Sequence, residues 1–205
     1  MTSSSRGIFI CIEGIDAVGK RTQTSLLSSW LAGRGIQNRT TSFPNYGTTI
    51  GREIKKFLLG SVSYPPEVRA LLYAANRWEK KAEIEAALES SEALIVNRYT
   101  GSNLAYGMSN GLPLAWLLGL EEGLPKPDLT ILLDAPANHL IPRRSQNKDT
   151  YERNLSLQEQ ARKAYLSLSK EFDWEVVDAT QGIRLTGEVV AHMVSTILPE
   201  RESRA

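Results

Sequence analysis

The chain contains the stretch Glu13-Gly14-Ile15-Asp16-Ala17-Val18-Gly19-Lys20 directly after the apolar run Ile8 to Ile12. The stretch matches the phosphate-binding loop G-x-x-x-x-G-K, which requires a strand before it and a helix after it. Its glycines allow successive backbone N–H groups to point inward, where they and the start of the next helix hold phosphate oxygens. Lys20 adds a positive charge near the outer phosphates. The stretch therefore predicts an α/β protein that binds a nucleotide.

Short apolar runs alternate with helical patterns along the rest of the chain. Further runs are Ala93–Val96 and Leu129–Leu133, a weaker one at Trp174–Val177, and a candidate around Arg39 to Phe43. The helical patterns are Lys20 to Ala32, Glu67 to Glu89, Thr150 to Phe172 and Leu185 to Leu198. Runs that are apolar on both faces are typical of buried parallel strands. We expect an α/β fold with a central parallel sheet of about five strands flanked by helices, and ligands at the carboxyl ends of the strands.

Composition excludes several classes of protein. The 205 residues are 41% apolar and 23% charged, with a net charge of +1. These values fit one globular domain over residues 1–205 and disfavour both a disordered chain and a general nucleic-acid coat protein. The one cysteine, Cys11, excludes an internal disulfide or a cysteine cluster for zinc, and no run is long enough for a membrane span. With no apolar leader at its start, we expect a cytoplasmic protein.

The residue after Lys20 departs from the usual motif. Ser or Thr normally follows the lysine and ligates magnesium, whereas here Arg21 precedes Thr22. A guanidinium group has no acceptor and cannot bind a metal, so other groups or water must hold the magnesium. Arg21 either lies near the phosphates or is a solvated cation in the first turn of the helix.

Three further segments carry polar and aromatic side chains. They are Phe43 to Thr48, Leu71 to Glu79 and Asn97 to Tyr106. Tyr73 and Arg77 are four residues apart, so they share one face of a helix. An aromatic ring beside a forked hydrogen-bond donor is suited to binding a nucleic-acid base.

Together with the phosphate loop, these segments resemble the thymidylate kinase family, whose members are P-loop nucleoside monophosphate kinases. The matching motifs are E-G-x-D-x-x-G-K at 13–20, F-P at 43–44, the aromatic and arginine at 73 and 77, R-Y at 98–99 with S-x-x-A-Y at 102–106, L-P-K-P-D at 124–128, Y-E at 151–152 and D-A-T at 178–180. Each motif is only moderately specific, but their order and spacing cover nearly the whole chain. The resemblance implies a P-loop kinase fold with a small mobile lid, and transfer of the γ-phosphate of ATP to dTMP with Mg²⁺ as cofactor.

The resemblance also implies a dTMP site. Tyr73 would stack on thymine, Arg77 would bind its carbonyl edge, and Arg98 would bind the phosphate. The complete implied set is Asp16, Phe43, Tyr46, Tyr73, Arg77, Arg98, Ser102, Asn103 and Tyr106. From the residues alone, the two tyrosines at 73 and 106 could instead be core aromatics, Arg77 could pair only with a local glutamate, and the residues at 102 and 103 could cap a helix.

The implied ATP site is the phosphate loop and one distant residue: Gly14, Ile15, Asp16, Ala17, Val18, Gly19, Lys20, Arg21, Thr22 and Thr180. The implied catalytic residues are Lys20, Arg98 and Asp16, with Arg143 and Arg144 from the lid, and Asp16 is also the implied metal ligand. The lid is predicted at about 141–152, because Ile141 to Asp149 is basic and poorly apolar; Arg153 is a weaker candidate. Its closure would exclude water that would otherwise hydrolyse ATP, although a solvated basic loop has the same composition.

One departure from the family keeps other functions open. Asn97 stands where the family has aspartate, and it lacks the negative charge. The alternatives are a related nucleoside or nucleotide kinase with another acceptor, a nucleotide-binding protein with weak or no turnover, and a nucleic-acid-binding ATPase. The low net charge and the lack of a basic stripe with aromatics disfavour the last one. We expect ATP and dTMP as partners, no nucleic acid and no membrane, and the resemblance implies a homodimer.

Overall fold

The computed structural model describes residues 6–141 and 154–198. Of the predicted lid, only Ile141 falls within these ranges. The predicted lid arginines Arg143, Arg144 and Arg153 lie outside the described residues.

Five parallel strands form the central sheet, which confirms the predicted fold class. They are β1 (Ile8–Glu13), β2 (Asn38–Ser42), β3 (Ala93–Asn97), β4 (Leu129–Asp134) and β5 (Glu175–Asp178), in the order β2-β3-β1-β4-β5. In register, Ile10 of β1 lies between Ile95 of β3 and Leu129 of β4. Because all strands are parallel, their carboxyl ends meet at one edge of the sheet.

Eight α-helices surround the sheet in the described part of the chain. They are α1 (Lys20–Ala32), α2 (Thr49–Leu58), α3 (Pro66–Trp78), α4 (Lys81–Ser90), α5 (Thr100–Ser109), α6 (Leu114–Glu121), α7 (Leu155–Glu171) and α8 (Ile183–Ile197), with a 3-10 turn at Ala179–Gln181. The bounds of α1 agree with the sequence pattern, whereas α2, α5 and α6 were not predicted. No helix in the described ranges is long and apolar enough to cross a membrane.

The single helix predicted from Glu67 to Glu89 is wrong, because the structure has two helices there. The chain turns after Trp78, where the N–H of Lys80 donates to the carbonyl of Arg77 at 3.0 Å. The turn lets the two halves bury different faces. Helix α3 packs on α2 and α5, whereas α4 packs on β3.

Alternate residues of β1 enter two separate apolar clusters, one on each face of the sheet. Ile10 and Ile12 belong to the larger cluster, and Phe9 and Cys11 belong to the smaller one. The strand is therefore buried on both faces, as a continuous apolar run predicts for a parallel sheet. The central sheet, packed on both faces, holds the polar residues that follow β1 and β3 at neighbouring positions on its edge.

Candidate active site

The loop between β1 and α1 has the backbone of a phosphate-binding site. Gly14 has φ 139° and Gly19 has φ 110°, a region that favours glycine. A Cβ on Gly14 would also lie 2.5 Å from the carbonyl oxygen of Leu133, so no larger residue fits. Lys20 Nζ donates to the carbonyl oxygens of Gly14 (3.0 Å) and Ile15 (2.7 Å). The ammonium group is thus held against the loop at the start of α1.

Asp16, within this loop, accepts hydrogen bonds from three elements. Its Oδ1 pairs with Arg98, and its Oδ2 accepts from Tyr106 Oη at 2.9 Å and from Gln158 Nε2 at 2.7 Å. The backbone N–H of Asp16 donates to Gln158 Oε1 at 3.0 Å. Burial acts to raise the pKa of Asp16, but Arg98, Lys20 and the two hydrogen bonds outweigh it and lower the pKa to about 2. The carboxylate is therefore charged at neutral pH.

Arg98 follows β3 in a left-handed conformation, with φ 63°. Its N–H donates to the carbonyl of Ile12 at 3.0 Å, and its Nη1 donates to Ser102 Oγ at 3.1 Å. Burial acts to lower the pKa of Arg98, but the charge of Asp16 raises it well above the usual value. A non-glycine residue with positive φ is uncommon and often lies at a functional site. The conformation and these bonds hold a permanent cation beside the phosphate loop.

Glu13, the last residue of β1, accepts hydrogen bonds from residues that surround the site. Its role was not predicted from the sequence. Its carboxylate is fully buried. Oε1 accepts from the backbone N–H groups of Tyr99 (2.7 Å) and Ser102 (3.0 Å), and Oε2 accepts from Ser102 Oγ (2.7 Å) and Tyr165 Oη (3.0 Å). Four donors satisfy the buried charge, so Glu13 ties β1 to α5 and α7.

A cavity of about 220 Å³ opens between α3, α5 and the phosphate loop. All nine residues of the implied dTMP site line it: Asp16, Phe43, Tyr46, Tyr73, Arg77, Arg98, Ser102, Asn103 and Tyr106. Four lining arginines contribute positive charge, at positions 21, 69, 77 and 98, whereas Asp16 is the one carboxylate among the described lining residues. The cavity is thus suited to an anionic ligand with an aromatic part.

Arg77 and Asn103 are held at one end of this cavity by a carboxylate that the sequence analysis missed. Buried Glu121, at the end of α6, pairs with Arg77 through Nη2 and through Nε at 2.9 Å. Its Oε1 also accepts from Asn103 Nδ2 at 2.7 Å, and Ala70 O accepts from the same group at 3.2 Å. Arg77 therefore pairs with a glutamate and lines the cavity as well.

The helix-cap interpretation of Ser102 and Asn103 is wrong. Both residues lie inside α5, whose N-cap is Tyr99 and has no side-chain cap hydrogen bond. Tyr73 and Tyr106 line the cavity and also pack against the core, so the two interpretations of these rings are compatible.

Thr180 lies at the same edge of the sheet, in the 3-10 turn that follows β5. Its Oγ1 donates to Asp178 Oδ1 at 2.6 Å, and its backbone N–H donates to the same oxygen at 2.8 Å. These hydrogen bonds lower the pKa of Asp178. The turn is thereby fixed next to the end of β5.

The donor set allows a magnesium ion that is held mainly by nucleotide phosphates. No group of three or more His, Cys, Asp or Glu side chains suited to a metal exists among the described residues. Mg²⁺ usually keeps several waters and binds one or two carboxylates together with substrate phosphates. Asp16 supplies one such carboxylate beside the phosphate loop, so the residues present fit this mode of binding.

Gln158, Glu121, Arg69 and Asn110 complete the site without having been predicted. Arg69 and Asn110 line the cavity and share a hydrogen bond of 3.0 Å. Each of the four lies outside the short motifs. Arg69 had one usable signal, because it precedes Tyr73 by four residues and so lies on the same face of α3.

Comparisons with known proteins agree with this geometry. Residues 12–190 match the family model of thymidylate kinase. A probable thymidylate kinase of Pyrococcus abyssi is 38% identical over 200 residues, covering 92% of this chain and 96% of that protein. The thymidylate kinase of Schizosaccharomyces pombe is 32% identical over 202 residues, covering 96% of each chain. The solved structure of thymidylate kinase from Candida albicans matches with a TM-score of 0.82 at 29% identity, covering 93% of this chain and 92% of that one.

Proposed function

The chain belongs to the thymidylate kinase family, and from this premise we propose that it transfers the γ-phosphate of ATP to dTMP through the residues described above. The products are ADP and dTDP. The observation that carries the proposal is that all nine residues of the implied dTMP site line one cavity beside the phosphate loop. Because the acceptor phosphate is already ionised, the reaction needs positioning and charge neutralisation rather than a strong general base.

The phosphate loop is the proposed ATP site. Backbone N–H groups of residues 14–22 and the start of α1 bind the phosphates, and Lys20 neutralises the outer ones. Thr180 contacts the adenine part of the nucleotide. A divalent metal is general for kinases of this kind, and we propose Mg²⁺, bound by the ATP phosphates and contacted by Asp16. When bound, the metal neutralises charge on the transferring phosphoryl group.

The cavity is the proposed dTMP site. Arg98, fixed by Asp16 and Ser102, binds the acceptor phosphate and keeps it close to the γ-phosphate. At the other end, Tyr73 stacks on thymine, Arg77 donates a hydrogen bond to its carbonyl edge, and Asn103 contacts the ring N–H, which donates to its Oδ1. Phe43 and Tyr46 close the side of the cavity, and Tyr106 crowds the 2′ position of the sugar.

Further parts of the proposal rest on family membership alone. We propose one domain over residues 1–205, with a lid at about 141–152 whose arginines Arg143 and Arg144 neutralise the transferring phosphoryl group. We also propose a homodimer and a cytoplasmic location.

A coupled ADP-release assay tests the proposal, with dTMP, dUMP, the ribose form of TMP, dCMP and AMP as acceptors. We expect turnover with dTMP well above the other acceptors. Lys20→Met is the control, because loss of the ammonium group should abolish turnover and exclude a contaminating kinase. A preference for another monophosphate would contradict the base site, and nucleotide binding with no turnover on any acceptor would contradict the enzyme.

A further inference from the structure

A second cavity adjoins the proposed dTMP cavity, between α1 and the carboxyl ends of β2 and β3. It measures about 220 Å³ and is lined by Arg21, Thr24, Ser25, Thr40, Thr41, Ser42 and Asn97. Three of these residues, Arg21, Ser42 and Asn97, also line the dTMP cavity. Arg21 and Asn97 therefore stand at the junction of the two cavities, the first directly after Lys20 and the second directly before Arg98.

Arg21 differs from two other arginines of the site in its pairing. Arg77 pairs with Glu121, and Arg98 pairs with Asp16. For Arg21, the described residues supply neither a hydrogen bond nor an ion pair, and the side chain is exposed. The second cavity has no carboxylate among its described lining residues, and the oxygens of Asp16 already accept from other groups.

Asn97 is the neighbour that could have paired with Arg21. Its Oδ1 is buried and has no hydrogen-bond partner among residues 6–141 and 154–198, so Arg21 does not donate to it. A neutral amide oxygen attracts a guanidinium group much less than a carboxylate does, because the carboxylate adds a full negative charge and can accept two parallel hydrogen bonds. The start of a helix attracts phosphate oxygens, so a cation there that lacks a partner in the described part of the chain is placed to bind one.

We propose that Asn97 is a positioning residue whose neutral amide leaves Arg21 unpaired, so that Arg21 binds phosphate oxygens at the junction, where the γ-phosphate of ATP meets the phosphate of dTMP. This inference rests on the proposed function. Arg21 is then a catalytic residue, because it neutralises charge on the transferring group without first breaking an ion pair. An aspartate at position 97 would capture the guanidinium group.

A double-mutant cycle tests the proposal with wild type, Asn97→Asp, Arg21→Met and the double variant. Asn97→Asp changes the charge but keeps the shape, and Arg21→Met keeps an unbranched stem. We expect Arg21→Met to lower kcat by about 10²-fold, as removal of one charge-stabilising donor does. We expect Asn97→Asp to lower kcat by about tenfold, because the introduced carboxylate would pair with Arg21, and a neighbouring opposite charge favours the charged partner by roughly this factor. The double variant should be no slower than Arg21→Met, since the aspartate then has no guanidinium group to capture.

Two binding measurements separate this role from a structural or metal-binding one. Affinity for a non-hydrolysable ATP analogue, measured by calorimetry without metal, should fall in Asn97→Asp, but the same change should have no effect in the Arg21→Met background. Mn²⁺ binding, measured by electron paramagnetic resonance, should change little. Thermal melting confirms that each variant is folded.

Other outcomes would overturn the inference. If the losses of kcat in the two single variants multiplied in the double variant, the carboxylate introduced by Asn97→Asp would act by repelling phosphate directly. Tighter Mn²⁺ binding with a higher kcat in Asn97→Asp would show that position 97 serves the metal. Failure of the proposed function is distinct, because the wild type would then form no dTDP at all.

Discussion

Asp16 is the residue on which most of the site's contacts converge. It belongs to the phosphate loop, but its side chain accepts from Arg98 after β3, Tyr106 on α5 and Gln158 on α7. Its charge therefore organises both ends of the proposed reaction: the loop that holds ATP, and the arginine that holds the acceptor phosphate. Because the carboxylate is largely buried, its charge also affects the stability of the fold.

The low pKa of Asp16 predicts a pH-dependent contribution to stability. The pKa falls from 3.8 to about 2 on folding, so the contribution is complete above about pH 4 and is lost as the pH falls through about 2. The lowering is worth roughly 2 kcal/mol, at about 1.4 kcal/mol for each pKa unit. Urea unfolding from pH 7 to pH 2 should show that Asp16→Asn is less stable than wild type at pH 7, and that the gap narrows by this amount at pH 2.

An exposed aspartate supplies the control for this experiment. Asp173→Asn should leave the wild-type pH profile in place, because Asp173 lies in an exposed turn, away from the hydrogen bonds that hold Asp16. A gap between Asp16→Asn and wild type that stays constant over the whole range would show that the carboxylate contributes through packing rather than charge.

The elements that the sequence predicted well are those with a local signal. Apolar runs placed β1, β3 and β4 to within a residue, since these strands are largely buried. Helix α5 was not predicted, because Gly101 and Gly107 have a low helix propensity and weaken the helical pattern of the sequence. A Cβ at Gly101 would lie 3.0 Å from Glu13 Oε1, and one at Gly107 would lie 2.7 Å from Leu117, so tertiary packing requires the glycines.

The connection between α7 and the phosphate loop had no local signal at all. Gln158 and Asp16 are 142 positions apart, and glutamine on a helix is usually a surface residue. Only the packing of α7 on α5 brings the amide to the loop. The short motifs thus predicted many of the residues that face the cavity, whereas Gln158, which holds Asp16 in place, comes from a distant element.

Loss of the Gln158 side chain should loosen this connection. Gln158→Leu removes hydrogen bonds of 2.7 and 3.0 Å and takes the partner Oε1 away from the part-buried N–H of Asp16, at a cost of about 1–3 kcal/mol. We expect a lower free energy of unfolding in urea and a higher KM for dTMP, because Asp16 no longer holds Arg98 in one orientation. Exposed Gln160→Leu, on the same helix, should change neither value. Equal KM values for the two variants would contradict a role for α7 in positioning Asp16.

At the scale of the whole molecule, the parallel sheet determines where ligands act. Strands β1 and β3 are hydrogen-bonded neighbours, so the phosphate loop and the residues around Arg98 share one edge, and helices α3 and α5 form the walls of the cavity above it. A ligand in the cavity contacts both the helices that form its walls and the residues at the edge of the sheet. Its binding energy should therefore stabilise the molecule as one cooperative unit.

Thermal unfolding with ligands tests this expectation. A ligand at a hundred times its Kd adds about 2.7 kcal/mol to the free energy of unfolding, which for a chain of this size is a rise in Tm of about 5–10 °C. We expect a single transition that dTMP raises by this amount and that dCMP at the same concentration raises less. Glu121 fixes Arg77 as a donor to a carbonyl edge, and Glu121 and Ala70 O take both N–H groups of the Asn103 amide, so that its Oδ1 is the group that accepts from the ring N–H of thymine. Arg77→Met should lose most of the dTMP shift but keep the shift caused by an ATP analogue, because the phosphate loop is unchanged. Equal shifts with dTMP and dCMP would contradict the assignment of the base site, and two separate transitions would contradict a single domain.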